Sequence, residues 1–204
     1  IKGSGNVGGL VGKLNGETTI DGCQVYLSRA KGQLNEKTEK DIWIDGAVSG
    51  GLIGDAGNNN LTVENSLAAT VIQGKTAAGG LVGIGHGVIS LDHSYADCYL
   101  YSDSETTETD TGYASGLIGR RVVATATLKI TDCYAAGFLE GQTTAGLVAC
   151  DLSADNNTLQ NVYSACVPLT AEKLTYGTVI LNKNQGDGSY AKKVYYLGKS
   201  VEPT

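Results

Sequence analysis

A five-residue pattern recurs along the chain and constrains its fold more than any other feature. It reads Gly-Gly-Leu-Val-Gly at 8–12, and close variants stand at 50–54, 79–83, 115–119 and 145–149. The central residue of the five copies is Leu10, Leu52, Leu81, Leu117 and Leu147. Successive leucines lie 42, 29, 36 and 30 residues apart, and every departure from glycine is to serine or alanine. Small size is therefore what these positions require, and a repeat of about 30 residues predicts a stacked architecture.

A second block follows each pentapeptide at a similar distance. Its copies begin at Ile20, Val63, Leu91, Ile130 and Leu159. Each copy opens with an aliphatic residue, continues with two polar or turn residues, and then places a small or aliphatic residue. A degenerate sixth copy is expected, with its pentapeptide at 177–180 and its second block at 194–196. The pentapeptide and the second block keep the same order throughout, which predicts one domain over residues 1–204. Its last stacked repeat, or coil, at about 171–204 is degenerate.

The local sequence is typical of short strands. Aliphatic and β-branched residues fill runs such as 18–20 and 178–181, and Gly, Asn and Asp separate them. No window carries sustained helical periodicity, and the one helix candidate is short, at 170–174. We therefore predict an all-β fold, a parallel β-solenoid (β-helix) of about six coils, right-handed by the general preference of parallel connections. The excess length of the two long repeats predicts two polar corner insertions, at 31–45 and 102–112.

The net charge and the length of the apolar runs limit which partners the chain can bind. Lys and Arg number 15 against 21 Asp and Glu, so the formal charge is −6. This balance argues against binding to a nucleic-acid backbone, which needs a basic face. No apolar run is long enough to span a bilayer, and no signal-peptide core is visible, so direct membrane insertion is not expected. Methionine is absent and residue 1 is isoleucine, so the chain is expected to be part of a longer or processed protein.

The repeat register also predicts what fills the interior. The five pentapeptide leucines should stack in one buried column. Cys23 and Cys133 share another column three coils apart, and Cys98 and Cys166 share a third column two coils apart. Strand spacing puts both pairs beyond disulfide reach, so these four thiols are expected to be reduced and buried. Cys150 falls in a mixed column and is expected to be partly exposed.

Four tyrosines share one register in the repeats: Tyr95, Tyr134, Tyr163 and Tyr195. Their immediate neighbours are mostly small or apolar, so alternation along a strand predicts that the tyrosines face outward, stacked about 4.8 Å apart. Such a column either shields the backbone through cross-strand contacts or offers a flat aromatic platform to sugar rings or to a partner protein. It is the predicted binding surface.

Few residues are candidates for catalysis or metal binding. Asp92, His93 and Ser94 are the residue types of a catalytic triad, but strand alternation would turn His93 away from both neighbours. Stacked second blocks bring Asp21, Glu64 and Asp92 into one column without a cation, which suits a solvated corner or a bound cation better than a site for acidic polysaccharides. We therefore expect no catalytic residue, cofactor or metal ion. The weak metal candidates lie in an acidic insertion that lacks EF-hand spacing: Asp103, Glu105, Glu108 and Asp110.

The pentapeptide, followed by Ile-Thr-Asp-Cys-Tyr-Ala-Ala-Gly at 130–137, resembles the GLUG-motif repeat of bacterial surface proteins. The resemblance covers roughly residues 5–170 and extends weakly to 200. It implies a secreted β-helical segment of a large adhesin-like or cell-wall protein. The expected function is a non-enzymatic structural or adhesive module that binds a glycan or a host or cell-surface protein through one solenoid face. We expect a monomer at the cell surface, joined to neighbouring domains and to the cell wall through other parts of its parent. The alternative is a carbohydrate-active enzyme, a polysaccharide lyase or hydrolase, on the same scaffold.

Overall fold

The computed structural model of the chain describes residues 1–26, 44–102, 112–122, 126–150, 157–169, 175–177, 180–182 and 191–196. Every regular element in these residues is a β-strand. Within the same ranges, no helix is long and apolar enough to cross a membrane. The strands are β1 (Asn6–Gly8), β2 (Val11–Lys13), β3 (Thr18–Asp21), β4 (Gln24–Tyr26), β5 (Ile44–Gly50), β6 (Ile53–Asp55), β7 (Leu61–Glu64), β8 (Leu67–Ala69), β9 (Val71–Gly79), β10 (Val82–Gly85), β11 (Ile89–Asp92), β12 (Tyr95–Ser102), β13 (Tyr113–Ser115), β14 (Ile118–Arg121), β15 (Leu128–Thr131), β16 (Tyr134–Glu140), β17 (Thr143–Ala145), β18 (Val148–Cys150), β19 (Asn157–Pro168), β20 (Thr175–Gly177), β21 (Ile180–Asn182) and β22 (Ala191–Tyr196).

All pairings among these strands are parallel, and they join equivalent strands of successive repeats. One sheet runs β2, β6, β10, β14, β18 and β21. The other contains the runs β3, β7, β11, β15, β19 and β8, β12, β16, β19, β22. An all-β chain whose strands each pair with the next repeat is consistent with a β-solenoid.

The pentapeptides stack in register through their leucines. The Leu52 amide donates to the Leu81 carbonyl at 2.9 Å, and the same bond recurs from Leu81 to Leu117 and from Leu117 to Leu147. These four side chains are fully buried, and burying a leucine contributes about 1.5–3 kcal/mol. Leu10 is 45% exposed, so the prediction of a buried leucine is wrong at this position. Its amide donates to Leu52, but no described coil covers its other side.

The second glycine of each pentapeptide lets two coils approach closely. A Cβ atom on Gly80 would overlap the Gly116 carbonyl oxygen and the Ala96 side chain, and one on Gly51 would overlap the Gly80 carbonyl oxygen. The backbone at these glycines is outside the left-handed region, so their small size matters here and not their conformational freedom. The first position is equally tight in the second and third repeats, where a Cβ atom on Gly50 or Gly79 would overlap a backbone carbonyl oxygen. The fourth repeat nevertheless accommodates Ser115, whose hydroxyl donates to a carbonyl four residues ahead at 3.3 Å.

In its first four copies the second block turns a corner where a strand ends, whereas the fifth copy lies within β19. At its third position the backbone is left-handed in all five copies, with φ between 45° and 63°. The residues there are Gly22, Asn65, His93, Asp132 and Asn161. Glycine, asparagine and aspartate adopt this conformation most readily, and most other side chains pay about 1–2 kcal/mol for it. Strands β3, β7, β11 and β15 end one residue before it.

In each of the first four corners, a hydroxyl or thiol donates a hydrogen bond back to the backbone of the same corner. Ser66 and Ser94 follow the left-handed residue, and each donates to the carbonyl two residues before it, at 2.6 and 2.8 Å. The Cys23 and Cys133 thiols make the same contact at 3.5 and 3.1 Å. The Ser66 amide also donates to Ser94 Oγ at 3.1 Å, so adjacent corners are linked.

The cysteines follow the predicted columns. Cys98 and Cys166 lie two coils apart in one register, and none of Cys23, Cys98, Cys133 and Cys166 forms a disulfide. Burial is confirmed for three of them, but Cys23 in the first repeat is only half-buried. The side chain of Cys150 lies outside the described residues.

The degenerate last repeat pairs with the fifth repeat in the predicted register. Gly177 pairs with Ala145, and Val194 pairs with Val162. Three other predictions concern residues that the structure does not describe: most of the first insertion, the helix candidate at 170–174, and the acidic insertion with Asp103, Glu105, Glu108 and Asp110.

Candidate functional site

One outer face carries the four tyrosines in a single register, and we call them the tyrosine ladder. Tyr95 pairs with Tyr134, Tyr134 with Tyr163, and Tyr163 with Tyr195. Tyr134 is 39% exposed and Tyr195 is 58% exposed, while the other two rings are half-buried. The residues that follow the first three tyrosines are buried. The ladder therefore lies on the outside, where strand alternation places it.

The first two rings of the ladder stack on each other. The centroids of Tyr95 and Tyr134 lie 4.7 Å apart with planes inclined by 8°, so each ring covers one face of the other. A sugar ring therefore cannot stack on the faces that these two rings turn toward each other. Both residues remain partly exposed to solvent. Partial burial raises the pKa of Tyr134, and Tyr95 and Asp97 raise it further, so its hydroxyl is protonated at neutral pH and can donate a hydrogen bond.

A second outer feature, which we call the polar corner, consists of two adjacent columns. The first column ends strands β3, β7, β11 and β15, and it has the predicted order Asp21, Glu64, Asp92, Thr131 and Gln160. The second column holds the left-handed residues. Amide side chains link neighbouring repeats. Asn65 Nδ2 donates to Asp21 Oδ1 in the first column, and Asn161 Nδ2 donates to Asp132 Oδ1 within the second column, both at 2.9 Å.

His93 brings a basic side chain to this corner. Its Nδ1 lies 3.0 Å from Asp92 Oδ2, and its Nε2 lies 3.9 Å from Asp132 Oδ2. The prediction that His93 faces away from Asp92 is wrong, because its left-handed backbone interrupts strand alternation. The hydrogen bond with Asp92 and the charge of that carboxylate raise the pKa of His93, and Asp132 and Glu64 add to the effect. The acidic column therefore does have a cationic neighbour once His93 is protonated.

Ser94 is not arranged as the nucleophile of a triad. Its side chain is buried, and its hydroxyl donates to the Asp92 backbone carbonyl and accepts from the Ser66 amide. His93 is exposed on the outer side of the corner. A nucleophile and its base must lie within hydrogen-bond reach of each other, so these neighbours do not form a catalytic pair.

Metal-ligating atoms converge in the polar corner. Asp92, His93 and Asp132 each have one such atom within 4.8 Å of the other two. Sequence reasoning placed Asp92 in a column that could hold a cation, but it did not bring His93 and Asp132 to it, because it applied strand alternation to His93. The available signal was the residue types at the third position, which are mostly those that tolerate a left-handed backbone.

A shallow depression of about 450 Å³ lies beside Lys13, Asp55 and His86. Its one carboxylate is already engaged, since Asp55 accepts from Asn6 Nδ2 at 2.9 Å and from the Gly57 amide at 2.7 Å and lies 3.4 Å from Lys13 Nζ. Glycoside hydrolysis generally uses two carboxylates. The depression therefore has the hydrogen bonds of a structural turn and lacks the pair that a hydrolase needs.

Comparisons with known proteins add no relative. No sequence-family model, curated protein or solved structure matches this chain. The resemblance to GLUG-motif repeats thus rests on the quoted motifs, and function has to be argued from the tyrosine ladder and the polar corner.

Proposed function

We propose that this chain is a structural and adhesive module of a secreted or cell-surface bacterial protein, and that it binds a glycan or protein partner through the face with the tyrosine ladder. The observation that carries the proposal is a column of outward tyrosines in one register on a stacked parallel fold. The proposed architecture is a right-handed solenoid of about six coils that acts as a monomer and joins neighbouring domains of a longer chain. No nucleic acid or membrane insertion is part of the proposal.

The geometry of the ladder favours an extended partner over a small enclosed one. Tyr95 and Tyr134 stack face to face along the coil axis, and both remain partly exposed to solvent. A ligand that lies along this axis meets the same group at each repeat, so many weak contacts add up. Tyrosine contributes contact area and a hydrogen-bonding hydroxyl at low entropic cost, because it has few rotatable bonds.

The adhesive function is proposed over the enzyme because no described group has the arrangement of a catalytic centre. Ser94 is turned inward, and the carboxylate of Asp55 is held by a turn. The exposed tyrosines need no reactive neighbour to bind a partner. We therefore place binding on the ladder and assign no residue a catalytic role.

The proposal is tested by a glycan array and a panel of immobilised cell-surface proteins, probed with the wild-type chain and with Tyr134→Ala. Tyr134 lies inside the ladder, so its loss should weaken binding to any partner at least about tenfold, as for a central interface aromatic. Tyr26→Ala is the control for the ladder register, because Tyr26 is 61% exposed on the same face but pairs with Ala69, in the column beside the ladder. The melting temperatures of both variants should stay within a few degrees of wild type.

Equal binding by Tyr134→Ala and Tyr26→Ala would remove the ladder from the proposal. Each partner found on the array is then incubated with the chain and its products are measured. Turnover of a glycan would favour the alternative, a polysaccharide lyase or hydrolase, whereas stable binding without turnover supports the adhesive module.

A further inference from the structure

We infer that the polar corner of the third and fourth repeats binds a divalent transition-metal ion of the Zn²⁺ type, with His93 and Asp132 as ligands and Asp92 as the carboxylate that orients the imidazole. This inference does not depend on the proposed adhesive function. It rests on the described positions of these three side chains, whose ligand atoms lie within 4.8 Å of one another.

The spacing of the two ligand atoms suits a bridging metal ion. His93 Nε2 and Asp132 Oδ2 lie 3.9 Å apart, which is too long for a hydrogen bond. Zinc lies about 2.0–2.2 Å from imidazole nitrogen and carboxylate oxygen, so two ligands of one ion can stand up to about 4 Å apart. Both side chains are accessible to solvent, so an ion can enter and keep water in its remaining positions.

Both ligands are already oriented by neighbouring groups. Asp92 Oδ2 lies 3.0 Å from His93 Nδ1, which leaves Nε2 for a metal. Asn161 Nδ2 donates to Asp132 Oδ1 at 2.9 Å, which leaves Oδ2 on the side of His93. A carboxylate on the second nitrogen of a ligating histidine and a hydrogen bond to a ligating carboxylate are typical supports of metal sites.

The imidazole decides which metal the corner selects. Ca²⁺ and Mg²⁺ prefer oxygen ligands, whereas an imidazole with carboxylate suits Zn²⁺ and its first-row neighbours. The equivalent position holds Asn65 and Asn161 in the second and fifth repeats, and these amides bond directly to carboxylates. Among the described corners, the one with His93 therefore combines a nitrogen ligand with an oriented carboxylate.

The test is calorimetric titration of ZnCl₂ into the full chain without an affinity tag, with Cys23 and Cys150 replaced by serine so that these thiols do not compete. We expect one Zn²⁺ per chain. His93→Asn should weaken binding at least about tenfold, and the variant should fold because asparagine occupies this left-handed position in two other repeats. His86→Asn, which changes the other histidine of the chain, should leave the affinity unchanged. Circular dichroism melts verify that all variants fold.

Three results would overturn the inference. First, the chain with Cys23 and Cys150 replaced by serine could bind no Zn²⁺ at about 1 mM. Second, His93→Asn and His86→Asn could bind Zn²⁺ with equal affinity. Third, Ca²⁺ could bind as tightly as Zn²⁺, with an affinity that His93→Asn does not change. The last result would assign the corner to a cation held by carboxylates alone.

Discussion

The two corners of each repeat are both built from small and turn-forming residues, yet they obey different constraints. At the pentapeptide corner the backbone of Gly80 is ordinary, but there is no room for a Cβ atom against the next coil. At the polar corner the situation is reversed: Gly22 is left-handed and has no atom within 4 Å of a built Cβ. The first corner restricts volume, and the second restricts the backbone dihedral.

This difference explains where the repeats vary. The buried corner holds the stack together, so its sequence stays within Gly, Ser and Ala around a leucine. The exposed corner accepts any side chain that tolerates φ near 50°, and the five repeats use glycine, asparagine, histidine and aspartate there. Side chains with metal-binding chemistry can therefore collect at the polar corner without disturbing the core.

The largest expected effect comes from a cavity in the leucine column. Leu81→Ala should lower the free energy of unfolding by about 2–5 kcal/mol, because Leu81 is fully buried between two coils. Leu10→Ala should cost less than about 1 kcal/mol, since its exposed side chain loses little burial. Urea denaturation of both variants measures the difference. Losses of equal size would mean that the two leucines do not differ in burial.

The volume constraint is tested at Gly80. Gly80→Ala should destabilise the fold by about 1–3 kcal/mol, because the new Cβ would overlap the Gly116 carbonyl oxygen. Gly22→Asn is the control at the other corner, where space is open and two repeats carry asparagine, so its effect should be within about 0.5 kcal/mol. Thermal melts of the two variants compare the corners directly. A harmless Gly80→Ala would show that the coils do not approach this closely.

The dihedral constraint is tested at Asn65, whose φ is 50°. Asn65→Ala should cost about 1–2 kcal/mol, because alanine resists the left-handed region. Asn65→Gly should recover most of this loss, although it also lacks the hydrogen bond to Asp21. The two unfolding free energies are compared in one denaturant series. If alanine and glycine were equally tolerated, the corner would not need a left-handed residue.

A chemical probe separates Cys23 from Cys133, which occupy the same position of the second block. Burial raises the pKa of Cys133 to about 12, and it raises those of Cys98 and Cys166 equally high. At pH 8 a thiol with a pKa near 12 is ionised to roughly one part in 10,000, and the thiolate is the reactive form. In a Cys150→Ser background, Ellman's reagent should therefore modify Cys23 rapidly and the other three only after denaturation. Four thiols that react equally fast in the native state would contradict the buried columns.

The sequence predicts the stacking of the repeats better than it predicts their corners. The repeated motifs are enough to align Asp21 with Glu64 and Tyr95 with Tyr134, although the repeats differ in length, because equivalent motif positions pair in register. Exposure at Leu10 is an end effect, and the repeat pattern carries no information about which coil lacks a neighbour.

The side-chain directions at the polar corner could not be predicted from the sequence for a different reason. Strand alternation assumes extended dihedrals, and the left-handed backbone of His93 interrupts that alternation at His93 itself. His93 therefore reaches Asp92 and Asp132, although the alternating pattern turns it away from its neighbours. Orientation of the stacked tyrosine rings likewise depends on side-chain torsions that a register does not specify.

The central claim is that each repeat stacks in register on the next one, and paired cysteines test it most directly. Thr62 pairs with Ser90, and Ser90 pairs with Lys129, all on the outer side of their strands. With Cys23 and Cys150 replaced by serine, Thr62→Cys/Ser90→Cys and Ser90→Cys/Lys129→Cys should each form a disulfide on mild oxidation, since strand spacing of about 4.8 Å lies within bonding range. Thr62→Cys/Lys129→Cys spans two coils and should remain reduced. Cross-linking of the third pair, or failure of the first two in folded protein, would contradict the proposed stack.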